Sequence, residues 1–249
     1  MLLADKIAVV YGAAGPIGTA IAHAFAREGA SVHLAGRTAA TLDTVAADIR
    51  ATGGRAEIAV VDALDEHDVD AFVDDAVRRA GRLDISVNVV AIGDVQRPLT
   101  DLSADEFVQP VATALRTQFL TTRAAVRHMI PRRTGVILAF GGSGPQTIPG
   151  MGGAKVAFDA VESHRRQWTV EVSQYGIRVV TLKTGGIPES IPADFPGRAE
   201  IVAGLDQASP LGRTATLADV GNVAAFVASD LAGTMTGSEV NISCGAILD

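Results

Sequence analysis

Short runs of β-branched residues alternate along the chain with longer segments in which apolar residues recur at helical spacing. This alternation is typical of a parallel β-sheet covered by helices. Most of the short runs are apolar on both faces, as expected for strands that are buried on both sides. They predict seven strands, at Ile7–Tyr11, Ser31–Ala35, Ala56–Val61, Leu83–Val90, Gly135–Phe140, Ile177–Leu182 and Glu239–Ile242.

Between the strands, apolar side chains recur at i, i+3, i+4 and i+7, which is the spacing of a helix that packs one face on a sheet. Three such stripes comprise Ile17, Ala20, Ile21, Ala24 and Phe25, then Val69, Phe72, Val73, Ala76 and Val77, and finally Val220, Val223, Ala224, Val227 and Ala228. No linker or short repeat interrupts the alternation. We therefore expect one α/β domain over residues 1–249, with a doubly wound parallel sheet and helices on both faces.

Two segments depart from the regular alternation. Pro110 lies inside the helical region Ala104–Met129, and because proline lacks an amide hydrogen we expect that helix to begin near Pro110. The Pro- and Gly-rich stretch Thr184–Gly197 is long for a connection between a strand and a helix. It predicts either a substrate lid, extending to residue 213, or a plain surface excursion.

Composition limits the class of protein. Of the 249 residues 48% are hydrophobic and 20% are charged, which is too apolar for a disordered chain, yet no stretch reaches the roughly 18 uninterrupted apolar residues of a membrane span. The single cysteine, Cys244, excludes an intrachain disulfide and a multi-thiolate metal site. A net charge of −7 argues against nucleic acid or an anionic membrane as a partner. We expect a cytoplasmic protein without a signal peptide.

The first chemically informative segment is YGAAGPIG, which places Gly12, Gly15 and Gly18 between the first strand and the first helix. Glycines at such a turn let the backbone approach a pyrophosphate, and the helix N-terminus offers free N–H groups at the positive end of its dipole. A tight strand-to-helix turn without a ligand has the same composition. The motif alone therefore leaves both interpretations open.

Together with later segments, this turn resembles that of the short-chain dehydrogenases/reductases, a family of single-domain Rossmann-fold oxidoreductases that use NAD or NADP. The family turn reads T-G-x-x-x-G-x-G, and here Tyr11 replaces the Thr and Pro16 replaces the middle Gly. Five further segments match the family in order: GASVHLAGR, VVDALD, GRLDISVN, GIRVVTLKTGG and TGSEVNISCGA. The resemblance implies the Rossmann fold, a nicotinamide cofactor, a small-molecule substrate and a homodimer or homotetramer.

The resemblance also implies which residues contact the cofactor: Gly12, Ala14, Gly15, Ile17, Gly18, Arg37, Asp62, Ala63, Val90, Ala91, Lys155, Gly185 and Ile187. An acidic residue at the end of the second strand would bind a ribose 2′-hydroxyl, whereas a nearby Arg accommodates a 2′-phosphate. Here Gly36 is followed by Arg37, which favours NADP over NAD. A solvated Arg37 and a turn-forming Asp62 are the structural alternatives.

The family's reacting groups are an Asn-Ser-Tyr-Lys tetrad, in which the Tyr is the general acid/base four residues before the Lys. A nearby ammonium lowers the pKa of the phenol toward the working pH. Here MGGAK places Lys155 at the Lys position and Met151, whose thioether has no transferable proton, at the Tyr position. Ala114 occupies the Asn position, and Ser143 is either the displaced Ser or a structural loop residue. Lys155 either binds the cofactor ribose or pairs with Asp159 one turn later.

Three functions are compatible with this pattern. The first is an NADP-dependent oxidoreductase that moves hydride to or from a carbonyl, alcohol or imine, with Lys155, a water or a substrate group supplying the proton. The second is a non-catalytic cofactor- or partner-binding protein, which the joint loss at Met151 and Ala114 suggests. The third is a non-redox reaction in the same pocket, such as a cyclisation or isomerisation. No cluster has metal-ligand spacing, so we expect no metal.

Overall fold

The computed structural model describes residues 1–141, 147, 149–195 and 197–248. Its centre is a parallel sheet of seven strands: β1 (Ile7–Tyr11), β2 (Ser31–Gly36), β3 (Arg55–Val60), β4 (Ile85–Asn88), β5 (Gly135–Gly141), β6 (Ile177–Thr184) and β7 (Glu239–Ile242). The strands are ordered β3-β2-β1-β4-β5-β6-β7. All seven predicted strands are confirmed, and their ends differ from the prediction by at most two residues.

In the described part of the chain, seven α-helices connect the strands: α1 (Pro16–Arg27), α2 (Ala39–Ala51), α3 (Glu66–Ala80), α4 (Ala104–Met129), α5 (Ala154–Val172), α6 (Arg198–Gln207) and α7 (Leu217–Ala228). The apolar faces of α1, α2 and α7 form one core with the sheet, and those of α3, α4 and α5 form cores on its other face. The predicted doubly wound architecture is therefore confirmed. Within the described residues, no helix combines the length and the apolar character that crossing a bilayer requires.

The strand order creates a crevice at one edge of the sheet. Strand β1 pairs with β2 on one side and with β4 on the other, where Tyr11 lies opposite Asn88. The connections on the two sides of this junction run in opposite directions across the sheet. In open parallel sheets a ligand binds at such a junction, beyond the carboxyl ends of the strands. The candidate site is therefore expected beyond β1 and β4.

Helix α4 corrects the prediction that it would begin near Pro110. It begins at Ala104, because a capping box fixes its start: the Glu106 amide donates to Ser103 Oγ at 3.2 Å, and the Ser103 amide donates to Glu106 Oε2 at 2.9 Å. Pro110 lies buried one turn later and cannot donate to the carbonyl of Glu106. A cap of this kind stabilises a helix by about 1 kcal/mol, and burial of the ring offsets part of the remaining cost.

The contact between α4 and α5 places a histidine among aromatic rings. The His164 ring of α5 lies 6.4 Å from that of Phe119 on α4 and 5.9 Å from that of Trp168. Trp168 Nε1 donates to His164 Nε2 at 2.8 Å, which requires a neutral imidazole with an acceptor at Nε2. Burial lowers the pKa of His164 to about 4. Acid should therefore disturb this contact.

We expect His164 to destabilise the fold as the pH falls from 6.5 to about 4, because over this range the unfolded chain binds the proton more strongly than the folded protein does. A shift of this size corresponds to about 3 kcal/mol, which partial exposure to solvent reduces to about 1–2 kcal/mol. His164→Gln keeps an acceptor for Trp168 and should remove this pH dependence. Urea unfolding monitored by Trp168 fluorescence measures it, with His23→Gln as the control. An unchanged pH dependence in His164→Gln would contradict the prediction.

Candidate active site

The turn after β1 lies close against the end of β4. The amides of Gly12 and Ala13 both donate to the Ala35 carbonyl of β2, at 3.1 and 3.2 Å. Gly12 has a φ of +75°, and a Cβ at this position would lie 2.7 Å from the carbonyl oxygen of Val89. Only glycine fits both the conformation and the contact. The turn therefore keeps its close approach to β4 despite Tyr11 and Pro16.

The other two glycines of the turn differ in how strictly they are required. A Cβ on Gly18 would lie 2.2 Å from the Gly12 carbonyl oxygen, so Gly18 lets α1 pack directly on the turn. Gly15 is the N-cap of α1 with a φ of −78°, and a Cβ there would lie 3.4 Å from the same oxygen, an ordinary contact. The contacts at positions 12 and 18 thus require glycine, whereas position 15 has room for a side chain.

The start of α1 offers amide groups to an anion. Pro16 is the first helical residue and has no N–H, but its fixed φ suits that position. The amides of Ile17 and Gly18 follow in the first turn, where no intrahelical carbonyl is available to them. Ala14 is exposed beside them. A glycine cradle with two free amides at the positive end of a helix fits a dinucleotide pyrophosphate.

Tyr11 does not reach this crevice. Its side chain is only 1% exposed and its ring packs edge-on against Phe72 of α3, with centroids 5.5 Å apart. Burial, together with the nearby Asp70 carboxylate, raises the pKa of Tyr11 far above its usual value. Tyr175, the second tyrosine, lies just before β6, at the end of the sheet where the strands begin. The Arg133 guanidinium carbon lies 5.9 Å from the centroid of its ring. Neither phenol is placed to give a proton to a substrate in the crevice.

Arg37 and Asp62 follow the ends of β2 and β3. Arg37 is exposed and makes no hydrogen bond or ion pair with any other described residue. Asp62 Oδ1 accepts from the Leu64 amide at 3.0 Å, and the Asp62 amide donates to Asp68 Oδ2 at 3.2 Å. Asp62 therefore forms the turn that was the structural alternative, while Ala63 beside it is buried. Both residues lie on the crevice edge of the sheet.

The remaining predicted contacts follow β4 and β6. Buried Asn88 fixes the end of β4, because its Oδ1 accepts from the Val90 amide at 3.0 Å and its Nδ2 donates to Thr121 Oγ1 of α4 at 3.1 Å. Val90 and Ala91 come directly after it. Gly185 follows β6, where a Cβ would lie 2.9 Å from Ala246 Cβ, and Ile187 is buried in the core beside it.

Met151 stands in a tightly held turn before α5. Gly150 and Gly152 on either side have φ values of +85° and +56°. A Cβ on Gly152 would lie 2.2 Å from the Val95 carbonyl oxygen, and one on Gly153 would lie 2.3 Å from that of Phe107. The backbone at Met151 is thus held by two neighbouring segments.

Lys155 lies in the first turn of α5, and its Nζ donates to Asp159 Oδ1 at 2.6 Å. The pairing proposed as the alternative for Lys155 is present, and it neutralises the ammonium locally. Ala114, at the Asn position, is packed in an apolar cluster with Ala139 and Ala157. Ser143 lies outside the described residues, so the structure gives it no position.

Helix α5 and strands β6 and β7 also carry buried charges that the sequence did not predict. Lys183 of β6 pairs with Glu239 Oε2 of β7 at 2.7 Å, and Arg165 Nη2 pairs with Glu162 Oε2 on α5 at 2.7 Å. Glu162 and Arg165 are 2% and 4% exposed, and Lys183 is also buried. Lys183 itself could have indicated these charges, because it is a charged residue within an otherwise apolar strand. In the sheet it lies opposite Gly141 of β5.

Comparison with known proteins agrees with this geometry. A family model described as enoyl-(acyl carrier protein) reductase matches residues 12–246. A (5R,7aS)-5-hydroxy-7a-methyl-1-oxo-2,3,5,6,7,7a-hexahydro-1H-indene-carboxyl-CoA reductase of Mycobacterium tuberculosis is 32% identical over 98% of this chain and 94% of its own length. A cis-4-hydroxycyclohexanecarboxylate dehydrogenase of Sinomonas cyclohexanicum is 31% identical over 97% and 96%. A Sinorhizobium meliloti structure assigned as a short-chain alcohol dehydrogenase superposes with a TM-score of 0.90 at 28% identity, covering 98% and 97%.

Gly18→Ala should lower the free energy of unfolding by about 1–3 kcal/mol, because its methyl group would collide with the Gly12 carbonyl and force the turn away from α1. Gly15→Ala is the matched control and should change the free energy by no more than about 0.5 kcal/mol. Urea unfolding of both variants measures the difference. Equal losses in the two variants would show that the contact does not constrain the turn.

Proposed function

The chain belongs to the short-chain dehydrogenase/reductase family, and from that premise we propose that it transfers hydride between a nicotinamide dinucleotide and a small carbonyl, alcohol or imine substrate. The observation that carries the proposal is the turn of Gly12 and Gly18, which holds two free amides beside the end of β4. The relatives named above as a reductase and a dehydrogenase support it.

In this proposal the residues around the crevice would hold the cofactor. The amides of Ile17 and Gly18 hold the pyrophosphate, with Gly12, Ala14 and Gly15 shaping the turn. Asp62 and Ala63 border the adenine, and Val90, Ala91, Gly185 and Ile187 border the nicotinamide. Lys155 binds the nicotinamide ribose hydroxyls. The bound nicotinamide supplies or accepts the hydride.

Arg37 supports NADP as the preferred cofactor. It follows β2 directly, is exposed and has no partner among the described residues, so its guanidinium is available to a 2′-phosphate. The position carries no carboxylate that would bind a 2′-hydroxyl.

We expect NADPH to bind more tightly than NADH, and Arg37→Ala to weaken NADPH binding by about tenfold to a hundredfold with little change for NADH. Titration calorimetry with both nucleotides measures this. Arg55→Ala removes an exposed arginine at the opposite edge of the sheet and serves as the control. Equal loss for both nucleotides, or for neither, would refute NADP selection by Arg37.

The proton that accompanies the hydride must come from a group other than a phenol. Met151 has no exchangeable proton, and Ala114 is packed against apolar neighbours. Among the predicted residues that the structure describes, the Lys155 ammonium is the remaining proton donor, and it donates to Asp159 Oδ1 at 2.6 Å. An iminium substrate already carries a positive charge and accepts hydride without a proton. The site should therefore reduce imines more readily than ketones.

NADPH oxidation should be measurable with a panel of imines, aldehydes and ketones. Met151→Tyr should raise ketone reduction by about a hundredfold, the lower range for a general acid, and should change imine reduction less. Met151→Phe supplies a ring without the hydroxyl and is the matched control. A wild-type protein that binds NADPH but reduces no substrate would contradict the proposal.

That last outcome would favour a second candidate, a cofactor-binding protein without turnover. The simultaneous presence of Met151 and Ala114, with Lys155 held by Asp159, supports this alternative.

Under either candidate we propose that the chain forms one domain and that residues 184–213 act as a lid. Helix α6 in this segment has no buried residue, and a Cβ on Gly186 at the base of the segment would lie 2.7 Å from Leu205 Cδ2.

A further inference from the structure

A pocket of about 310 Å³ opens at the amino ends of the central strands. The length of β5 separates it from the crevice by roughly 20 Å, because seven residues of a strand span that distance. Its volume lies at the lower end of the range of small-molecule sites. The charged and hydroxyl-bearing residues that line it include Lys6, Asp84, Thr134, Ser173, Arg178 and Asp230. This pocket is therefore distinct from the candidate active site.

The Arg178 side chain is fixed in this pocket by backbone carbonyl groups. Its Nη2 donates to the carbonyl of Val227 at 2.8 Å and to that of Ser229 at 3.0 Å, and its Nη1 donates to the carbonyl of Met235 at 3.2 Å. These bonds use three of the five N–H groups of a guanidinium. The other two find no acceptor in the described part of the chain. Arg178 is thus held in place and keeps donors for a ligand.

The charge of Arg178 is less well balanced than the other charges of the lining. Asp230 Oδ1 pairs with Lys6 Nζ at 2.9 Å, and Asp84 Oδ2 pairs with Arg82 Nε at 2.9 Å. Arg178 forms no ion pair with any described carboxylate. Burial lowers the pKa of its guanidinium, and the charge of Asp230 acts in the opposite direction. A further negative charge in the pocket would therefore stabilise the guanidinium.

Ser173 adds a second donor without an acceptor. It lies in the short 3₁₀ turn between α5 and β6 and lines the same pocket. Its Oγ is buried and has no hydrogen-bond partner among the described residues, although buried hydroxyl groups are normally paired. An oxyanion would supply acceptors both to this hydroxyl and to the remaining N–H groups of Arg178. It would also supply the negative charge, and such charge-assisted bonds are the stronger kind.

We propose that this pocket binds the carboxylate or phosphate group of a small organic molecule, which Arg178 and Ser173 recognise. Carboxylate and phosphate share the chemistry that the pocket requires, a negative charge spread over oxygen acceptors. The site needs neither cofactor nor substrate in the crevice. It therefore stands independently of the proposed hydride transfer.

Titration calorimetry with inorganic phosphate and with acetate, at an ionic strength held constant with sodium chloride, tests the site. The wild-type protein should bind at least one of the two anions. Tighter binding of phosphate would assign the ligand to phosphorylated molecules, and tighter binding of acetate would assign it to carboxylic acids. Failure of both anions to bind would overturn the proposal.

Ser173→Ala should weaken binding of the preferred anion by about tenfold, because it removes one hydrogen bond to a charged group. Ser31→Ala is the matched control, since Ser31 begins β2 and lines a separate pocket at the same end of the sheet. Both variants keep the first turn of α1, so anion binding at that turn is common to them. Equal affinities in Ser173→Ala and Ser31→Ala would overturn the site.

Arg178→Gln should weaken binding by tenfold or more, and Arg55→Gln, in the same separate pocket as Ser31, is its control. Because Arg178 also holds the end of α7, circular dichroism must show that this variant is folded. If it does not fold, Ser173→Ala still decides the question. Its unpartnered hydroxyl can be removed without lowering the free energy of unfolding, which urea unfolding in the absence of the anion measures.

Crystals soaked with the preferred anion should show it within hydrogen-bond distance of Arg178 and Ser173. An anion seen there whose affinity in solution is unchanged by Ser173→Ala would be an adventitious ion only and would overturn the proposal. Hydride transfer is not part of any of these measurements. Their failure would leave the proposed function standing, and a protein without turnover would leave this site standing.

Discussion

The contact between the first turn and the end of β4 is the constraint on which the rest of the site depends. With Gly12 against the Val89 carbonyl and Gly18 against the Gly12 carbonyl, three backbone segments meet without intervening side chains. This contact aims the start of α1 at the crevice and sets its distance from β4. Asn88 extends the constraint to α4 through Thr121. The constraint thus reaches α4, the helix that carries Ala114.

The fold could be predicted because its determinants are local. Strand and helix periodicities recur within each segment, and all seven strands were recovered from them. Pro110 was misjudged because the capping box at Ser103 and Glu106 outweighs the local rule for proline. The charges around Glu162 were missed for a different reason: Lys183 and Glu239 are 56 residues apart in sequence from one another and come together only through strand pairing.

Six charged side chains of α5, β6 and β7 form ion pairs. In the pattern that the family resemblance implies, the ammonium at Lys155 would act on a phenol. Here the same ammonium is bound by Asp159. Four further buried or half-buried groups form two ion pairs, Arg165 with Glu162 and Lys183 with Glu239. Two of these groups, Glu162 and Arg165, lie on α5, whereas Lys183 and Glu239 lie on β6 and β7.

The glycine pair before α5 bears on which side chains position 151 can hold. Gly152 and Gly153 lie so close to the carbonyls of Val95 and Phe107 that the backbone path is retained whatever side chain stands at Met151. Position 151 can therefore change its chemistry without rebuilding its surroundings.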